Sequence, residues 1–291
     1  MSKRVRKAVF PAGGLGTRFL PATKVVPKEM LALVDKPIIQ YGVEEALASG
    51  IEHIIFVTGR GKGAMEDHFD YSFELDANLE RKGKKDLLEL SRQVGSMARI
   101  SYVRQKEPLG LGHAVLCAKD LVGDEPFAVI LPDDVIDAPT PCVKQMIDVF
   151  IEKGGAVLAT MSIEGPAISA YGVLAGSQDP HNERIYNCTG MVEKPKLADA
   201  PSKQAIIGRY ILTPRIFEML EQTKPGAGGE IQLTDGILAL LKHEKVFGYT
   251  FEGKRFDAGD KFGMLQAMVE LALKRPEFGD KFREYLKNLG L

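Results

Sequence analysis

Ala12-Gly13-Gly14-Leu15-Gly16-Thr17-Arg18-Phe19-Leu20-Pro21, running on to Pro27-Lys28-Glu29-Met30, is the stretch on which the reading of this chain turns. It follows directly on Val5–Pro11, a short apolar run that reads as a first strand. In open α/β sheets, ligands bind beyond the carboxyl ends of strands. Glycines there let the backbone pass close to a phosphate chain with its N–H groups aimed at the oxygens. Arg18 and Lys28 add fixed positive charge, the first as a fork for two oxygens and the second as a point charge. Two better-known phosphate loops do not fit. Gly14-Leu15-Gly16 is followed by Phe19 where a dinucleotide fingerprint needs its third glycine, and nothing matches the P-loop pattern.

Outward from the loop, strands and helices alternate. Pro37–Ser49 has helical spacing, with Ile38, Ile39, Val43, Ala46 and Leu47 able to share a face, and Gly50 ends it. His53–Thr58 is β-branched and aromatic, a second strand. Residues 62–99 are highly charged with leucines at helical spacing, which predicts two or three helices outside the sheet. Strands follow at Arg99–Gln105, Phe127–Leu131 and Ala156–Ser162, separated by helices ending at Ala118 and spanning Cys142–Lys153. This order predicts an α/β fold with a Rossmann-like, mostly parallel central sheet flanked by helices. After Ser162 short strand-like pieces alternate with turns, which predicts a smaller mixed or antiparallel region. Helices are expected at Ile231–His243 and Lys261–Lys274, and a final amphipathic one at Pro276–Leu289. The expected division is a catalytic domain over residues 1–275, with halves at 1–162 and 163–275, and a C-terminal helix over 276–291.

With 291 residues, 45% of them hydrophobic, the chain can bury a large core. A formal net charge of -1 gives no sign of a nucleic-acid partner. Three cysteines, Cys117, Cys142 and Cys188, lack metal-ligand spacing and read as buried thiols in a reducing compartment. No run is long enough to span a membrane, and the basic N-terminus leads straight into a strand without a signal-peptide pattern. A soluble, cytoplasmic protein is the expectation.

Asp133 and Asp134 end the Phe127–Leu131 strand and so face the same crevice as the glycine loop. A strand-end acid pair suits Mg²⁺, which takes one or two carboxylates together with phosphates and waters. On spacing alone a turn or a helix cap explains them equally well. Gln105 ends the third strand ahead of Glu107-Pro108-Leu109-Gly110-Leu111-Gly112-His113-Ala114. Its amide offers both a donor and an acceptor, and on the residues alone it reads as an ordinary polar residue at a strand end. His113, with no acid near it in sequence, reads as structural.

G-G-x-G-T-R, then P-x-T, then P-K-E-M, resembles the signature of the sugar-1-phosphate nucleotidyltransferases, and the likeness runs over nearly the whole chain. The long charged segment at 62–99 is similar to one in the uridylyltransferase branch, whereas thymidylyltransferases have a much shorter connection there. The resemblance implies transfer of a uridylyl group from UTP to glucose 1-phosphate, giving UDP-glucose and pyrophosphate. It implies Mg²⁺ as cofactor and a homodimer or homotetramer. It implies a nucleotide site at Ala12, Gly13, Gly14, Gly16, Thr17, Arg18, Lys28, Glu29, Gln105, Pro108 and Gly110. A sugar site is implied at Asp134, Gly172, Glu193, Lys194 and Gly208, and metal ligands at Asp133 and Asp257, with Asp260 capping the helix that follows. Arg18, Lys28, Asp133 and Lys194 would carry the chemistry. Gly228–Asp235 matches a further family segment, read as pocket support or subunit contact. A relative of other nucleotide or sugar specificity, and a catalytically silent nucleotide-binding regulator, remain the alternatives.

Overall fold

The computed structural model describes residues 4–290. The first strands are β1 (Lys7–Pro11), β2 (Ala32–Leu33), β3 (Lys36–Pro37), β4 (His53–Thr58), β5 (Arg99–Arg104) and β6 (Phe127–Ile130). They are followed by β7 (Asp134–Asp137), β8 (Ala156–Ser162), β9 (Gly172–Asp179) and β10 (Asn182–Glu193). The last are β11 (Gln204–Leu212), β12 (Val246–Thr250) and β13 (Lys254–Asp257). Nine of them form one sheet in the order β5-β4-β1-β6-β11-β8-β12-β10-β9. The pairings make β1, β4, β5, β6, β8, β9 and β12 run one way, with β10 and β11 against them.

The mostly parallel sheet is therefore present, and the mixed and antiparallel region expected after Ser162 is part of it, with β7–β13 and β2–β3 as smaller antiparallel pairs beside it. β11 slots between β6 and β8, joining the two halves of the chain through one hydrogen-bonded ladder. Of the short pieces expected after Ser162, β9, β10 and β11 are long strands, β10 alone having 12 residues with register shifts in its pairing, while β12 and β13 are short.

Alternation along each strand feeds two cores. Ala8, Phe10, Ile54 and Phe56 face one side, where Ile39 and Val43 of the Ile38–Ala48 helix and Met146 and Phe150 of the Cys142–Lys153 helix cover them. Val9, Ile55 and Val57 face the other, under Val115, Phe217, Leu220 and Leu240. Period-2 side chains that are apolar on both faces need helices on both faces, and that makes the three layers. The charged segment folds as three helices, Gly63–Phe69, Phe73–Arg81 and Lys85–Ser96.

The helix expected from Ile231 starts only at Leu233. The Ile231 N–H donates to Leu109 O at 2.7 Å and its carbonyl accepts from Gly112 N at 2.8 Å, so its backbone is already committed to a loop. Among the described residues no helix is long and apolar enough to cross a membrane. All three cysteines are free thiols, with Cys142 and Cys188 buried.

Candidate active site

β1 and β6 are parallel neighbours, so the glycine loop and the Pro132-Asp133-Asp134 turn leave the same edge of the sheet. From β1 the chain moves outward to β4 and β5, then returns to place β6 on the other side of β1. That reversal of strand order opens a crevice, the usual ligand position in such sheets.

The loop is shaped by its glycines. Gly16 sits at φ 65°, the left-handed region, and its carbonyl accepts from Thr23 Oγ1 at 2.7 Å. The chain then turns through a short 3₁₀ segment, Thr17–Phe19, which leaves Arg18 exposed at the cleft. Lys28 runs beneath the loop and its ammonium reaches Asp133 Oδ2 at 2.5 Å. Burial alone would raise the Asp133 carboxyl, but the charge and hydrogen bond of Lys28 outweigh it and hold the group below its ordinary value. Glu29, next in sequence, does not share this position. It is 2% exposed and pairs with the buried Lys62 at 2.6 Å, with its Oε1 left without a partner.

A two-strand ribbon brings the second acid in. β7 and β13 pair antiparallel with Asp134 opposite Asp257. The Ala258 N–H donates to Asp133 O at 2.8 Å and the Gly259 N–H to Asp257 Oδ1 at 3.0 Å. A Cβ on Gly259 would stand 2.7 Å from Asp133 Oδ2 and 3.1 Å from Asp257 Oδ1. The missing side chain thus leaves a small space bounded by two carboxylates. Among the described residues no three His, Cys, Asp or Glu side chains gather as a metal cage. A pair of carboxylates beside a phosphate site still fits a hard divalent cation that completes its shell with phosphate oxygens and water. Asp260 caps the Lys261–Leu273 helix, accepting from Phe262 N and Gly263 N, as expected.

Asp134 turns the other way. Its Oδ2 accepts from Gly208 N at 2.8 Å and its Oδ1 from Arg255 at 2.5 Å. Arg255 also donates to Tyr171 Oη at 2.9 Å and to Asp257 Oδ2 at 3.3 Å. Behind the turn lies Arg209, fully buried in β11. Its guanidinium pairs with Glu45 at 2.8 Å and donates to the carbonyls of Asp134 at 2.6 Å and Leu131 at 3.0 Å. Arg209 therefore ties the backbone of the acidic turn to the Ile38–Ala48 helix.

Across the cleft, Glu193 Oε2 accepts from Thr234 Oγ1 at 2.6 Å and lies close to Gly172. Lys194 holds a left-handed φ of 47°, uncommon for a residue with a side chain, and its N–H donates to Tyr171 O at 3.0 Å. Its ammonium lies 3.5 Å from Glu193 Oε1. A cleft of about 210 Å³ has Arg18, Asp133, Asp134, Glu193, Gly208 and Asp257 all in its wall. Gly13, Gln105 and Gly110 form a neighbouring group at the ends of β1 and β5, where Gln105 Nε2 donates to Gly110 O and His113 Nδ1. Ala12 is buried in the core, whereas Gly14, Thr17 and Pro108 are exposed on the loops.

Arg255 and Arg209 were not anticipated, and Thr234 was covered only as part of the Gly228–Asp235 segment read as pocket support or subunit contact. Both arginines leave a trace in sequence. Arg255 lies two residues before Asp257, on the same face of a strand. Arg209 interrupts the apolar run Ile206–Leu212, which marks a buried, paired charge.

A model of the nucleotidyl transferase family matches residues 7–273. The chain is 50% identical over 289 residues to a UTP–glucose-1-phosphate uridylyltransferase of Bacillus subtilis strain 168, covering 99% of this chain and 98% of that one. A UTP-bound UGPase from Acinetobacter baumannii has the same fold, with a TM-score of 0.91 and 40% identity over 98% of this chain and 100% of that one. A UDP-glucose pyrophosphorylase complexed with UDP-glucose superposes with a TM-score of 0.85 and 44% identity, over 94% of this chain and 100% of that one.

Proposed function

Because the chain belongs to the nucleotidyl transferase family, we propose that it transfers the uridylyl group of UTP to glucose 1-phosphate, releasing UDP-glucose and pyrophosphate. The observation that carries this reading is the single cleft whose wall holds Arg18, Asp133, Glu193, Gly208 and Asp257 together. Cation, carboxylate pair and sugar-type acceptors stand within reach of one bound product.

The nucleophile, a phosphate oxygen of glucose 1-phosphate, is already anionic. It forms a bond to the α-phosphorus of UTP as the bond to pyrophosphate breaks, so no proton has to be removed. Positioning and charge stabilisation do the work. The glycine loop's N–H groups, Arg18 and Lys28 hold the triphosphate and then the leaving pyrophosphate. Glu193 takes the sugar hydroxyls at a wall formed by Gly172 and Gly208, with Asp134 beside them, and Lys194 aims the sugar phosphate. Nucleotidyltransferases generally use a divalent metal, and here we assign Mg²⁺ to Asp133 and Asp257. When bound it would neutralise charge on the phosphates. Residues 1–162 supply the nucleotide half and residues 163–275 the sugar half. We place the protein in the cytoplasm as a homodimer or homotetramer, with the Gly279–Asn288 helix and its exposed Tyr285 as a subunit contact.

A pyrophosphate-release assay over UTP, dTTP, CTP, ATP and GTP, each with several sugar 1-phosphates and with or without Mg²⁺, tests this. UTP with glucose 1-phosphate should be preferred and should require the cation. Preference for dTTP would move the chain to another specificity, and nucleotide binding without turnover would make it a regulator.

A further inference from the structure

The pairing of β7 with β13 sets Asp134 opposite Asp257, and Arg255 lies two residues before Asp257 on the same face of β13. From there its side chain, 10% exposed, reaches both acids. Each nitrogen of the guanidinium has a partner of its own. Nε donates to Asp134 Oδ1 at 2.5 Å, Nη1 to Tyr171 Oη at 2.9 Å and Nη2 to Asp257 Oδ2 at 3.3 Å. The Tyr171 ring lies against the same group, 5.3 Å from the guanidinium carbon. A planar fork anchored in three directions has a fixed plane.

Asp257 is consequently held at both ends. Arg255 takes Oδ2, and the Gly259 N–H donates to Oδ1 at 3.0 Å. Oδ1 is also the oxygen that borders the space beside Gly259, across from Asp133 Oδ2. The two cations of this cleft therefore act differently on its acids. Lys28 binds the very oxygen of Asp133 that borders the space, and so stands in the way of a metal ion. Arg255 binds the far oxygen of Asp257, and can stay where it is when the near one takes up a ligand.

We propose that Arg255 is a positioning residue that aims Asp257 Oδ1 into the space shared with Asp133 and so sets the affinity of the site for its divalent cation. The proposal rests on the assignment of that cation to Asp133 and Asp257. A metal-ligating carboxylate binds well only when its own hydrogen bonds fix its orientation, and Arg255 supplies the one at the end remote from the metal.

Mn²⁺ titrated into protein saturated with UDP-glucose, and read by electron paramagnetic resonance, tests this without turnover. Arg255→Met should weaken Mn²⁺ binding about tenfold to a hundredfold, the usual effect of losing a group that orients a metal ligand. Arg255→Lys keeps the charge, but one ammonium cannot bridge the acids as the fork does, so it should fall in the same range. UTP binding in EDTA, measured by calorimetry, should stay close to wild type in both variants. If Arg255 supplied charge balance alone, its removal would leave the acids more negative and Arg255→Met would bind Mn²⁺ more tightly. That sign of change, or wild-type affinity in Arg255→Lys, overturns the proposal. So does an equal loss of Mn²⁺ and metal-free UTP binding, which would reduce Arg255 to structural support. Asp257→Asn separates this proposal from the assignment beneath it. If Asp257→Asn weakens Mn²⁺ binding while the Arg255 variants bind as wild type does, the positioning role falls and the metal assignment stands. If Asp257→Asn binds Mn²⁺ as wild type does, the assignment falls and the positioning role with it.

Discussion

Lys28 and Asp133, 105 residues apart in the chain, meet at 2.5 Å at the cleft where the glycine loop and the acidic turn face each other. The contact occupies the same carboxylate oxygen that borders the space beside Gly259. A cation bound there and the Lys28 ammonium compete for Asp133 Oδ2. In the proposed reaction the triphosphate relieves that competition by giving Lys28 other oxygens to bind.

Asp133→Asn keeps the shape of the turn and removes the charge. Its kcat with UTP and glucose 1-phosphate should fall on the order of a hundredfold or more, the usual scale for losing one electrostatic stabiliser. A steady-state assay with Mg²⁺ checks this, and a near-wild-type rate would remove Asp133 from the metal site.

Gly259→Ala puts a methyl group between the two carboxylates, 2.7 Å from Asp133 Oδ2 and 3.1 Å from Asp257 Oδ1. One carboxylate has to swing away. Mn²⁺ affinity, read by electron paramagnetic resonance with nucleotide present, should weaken by about tenfold or more, as for other displaced ligand geometry. Unchanged affinity would show that the cation does not use the space between these two acids.

The Arg209–Glu45 pair predicts a stability effect. Arg209→Met leaves Glu45 buried without its cationic partner and takes one donor from each of three backbone carbonyls, of which Gly208 O keeps Leu131 N and Leu131 O keeps Asp134 N. Urea unfolding should show a loss of about 3–5 kcal/mol, the scale for breaking a buried ion pair from one side. Loss below about 1 kcal/mol, the range of exposed pairs, would mean water has replaced the guanidinium.

The Lys28–Asp133 pair should also show in the pH dependence of stability. Asp133 is held below its ordinary 3.8, so its contribution is present above that value and lost as pH falls through the lower folded value. Lys28 is raised above 10.5, since the pull of Asp133 exceeds the effect of burial, so its contribution is present below that value and lost as pH rises through the higher one. The stability gap between wild type and Lys28→Met should be flat from about pH 5 to 9 and should narrow towards pH 3. Urea titrations at stepped pH measure it. A gap of the same size at pH 3 would mean that the lysine stabilises through its methylene stem and not through its charge.

What could be read from residues alone was whatever depends on near neighbours. The glycine loop after an apolar strand, the helical spacing of 62–99 and the cap at Asp260 all act over a few residues, and each appears where it was expected. The strands His53–Thr58 and Ala156–Ser162 fall on their expected bounds for the same reason. Tertiary structure decided the rest. No local pattern states that β11 inserts between β6 and β8, yet that placement is what brings the Gly208 N–H to Asp134 and Arg209 to the acidic turn. No local pattern states that β7 pairs with β13, yet that pairing sets Asp257 beside Asp133. Hydrogen bonds and ion pairs between distant residues depend on which strands become neighbours. That choice is made by the packing of the whole sheet between its two helical layers, not by the preferences of any one segment.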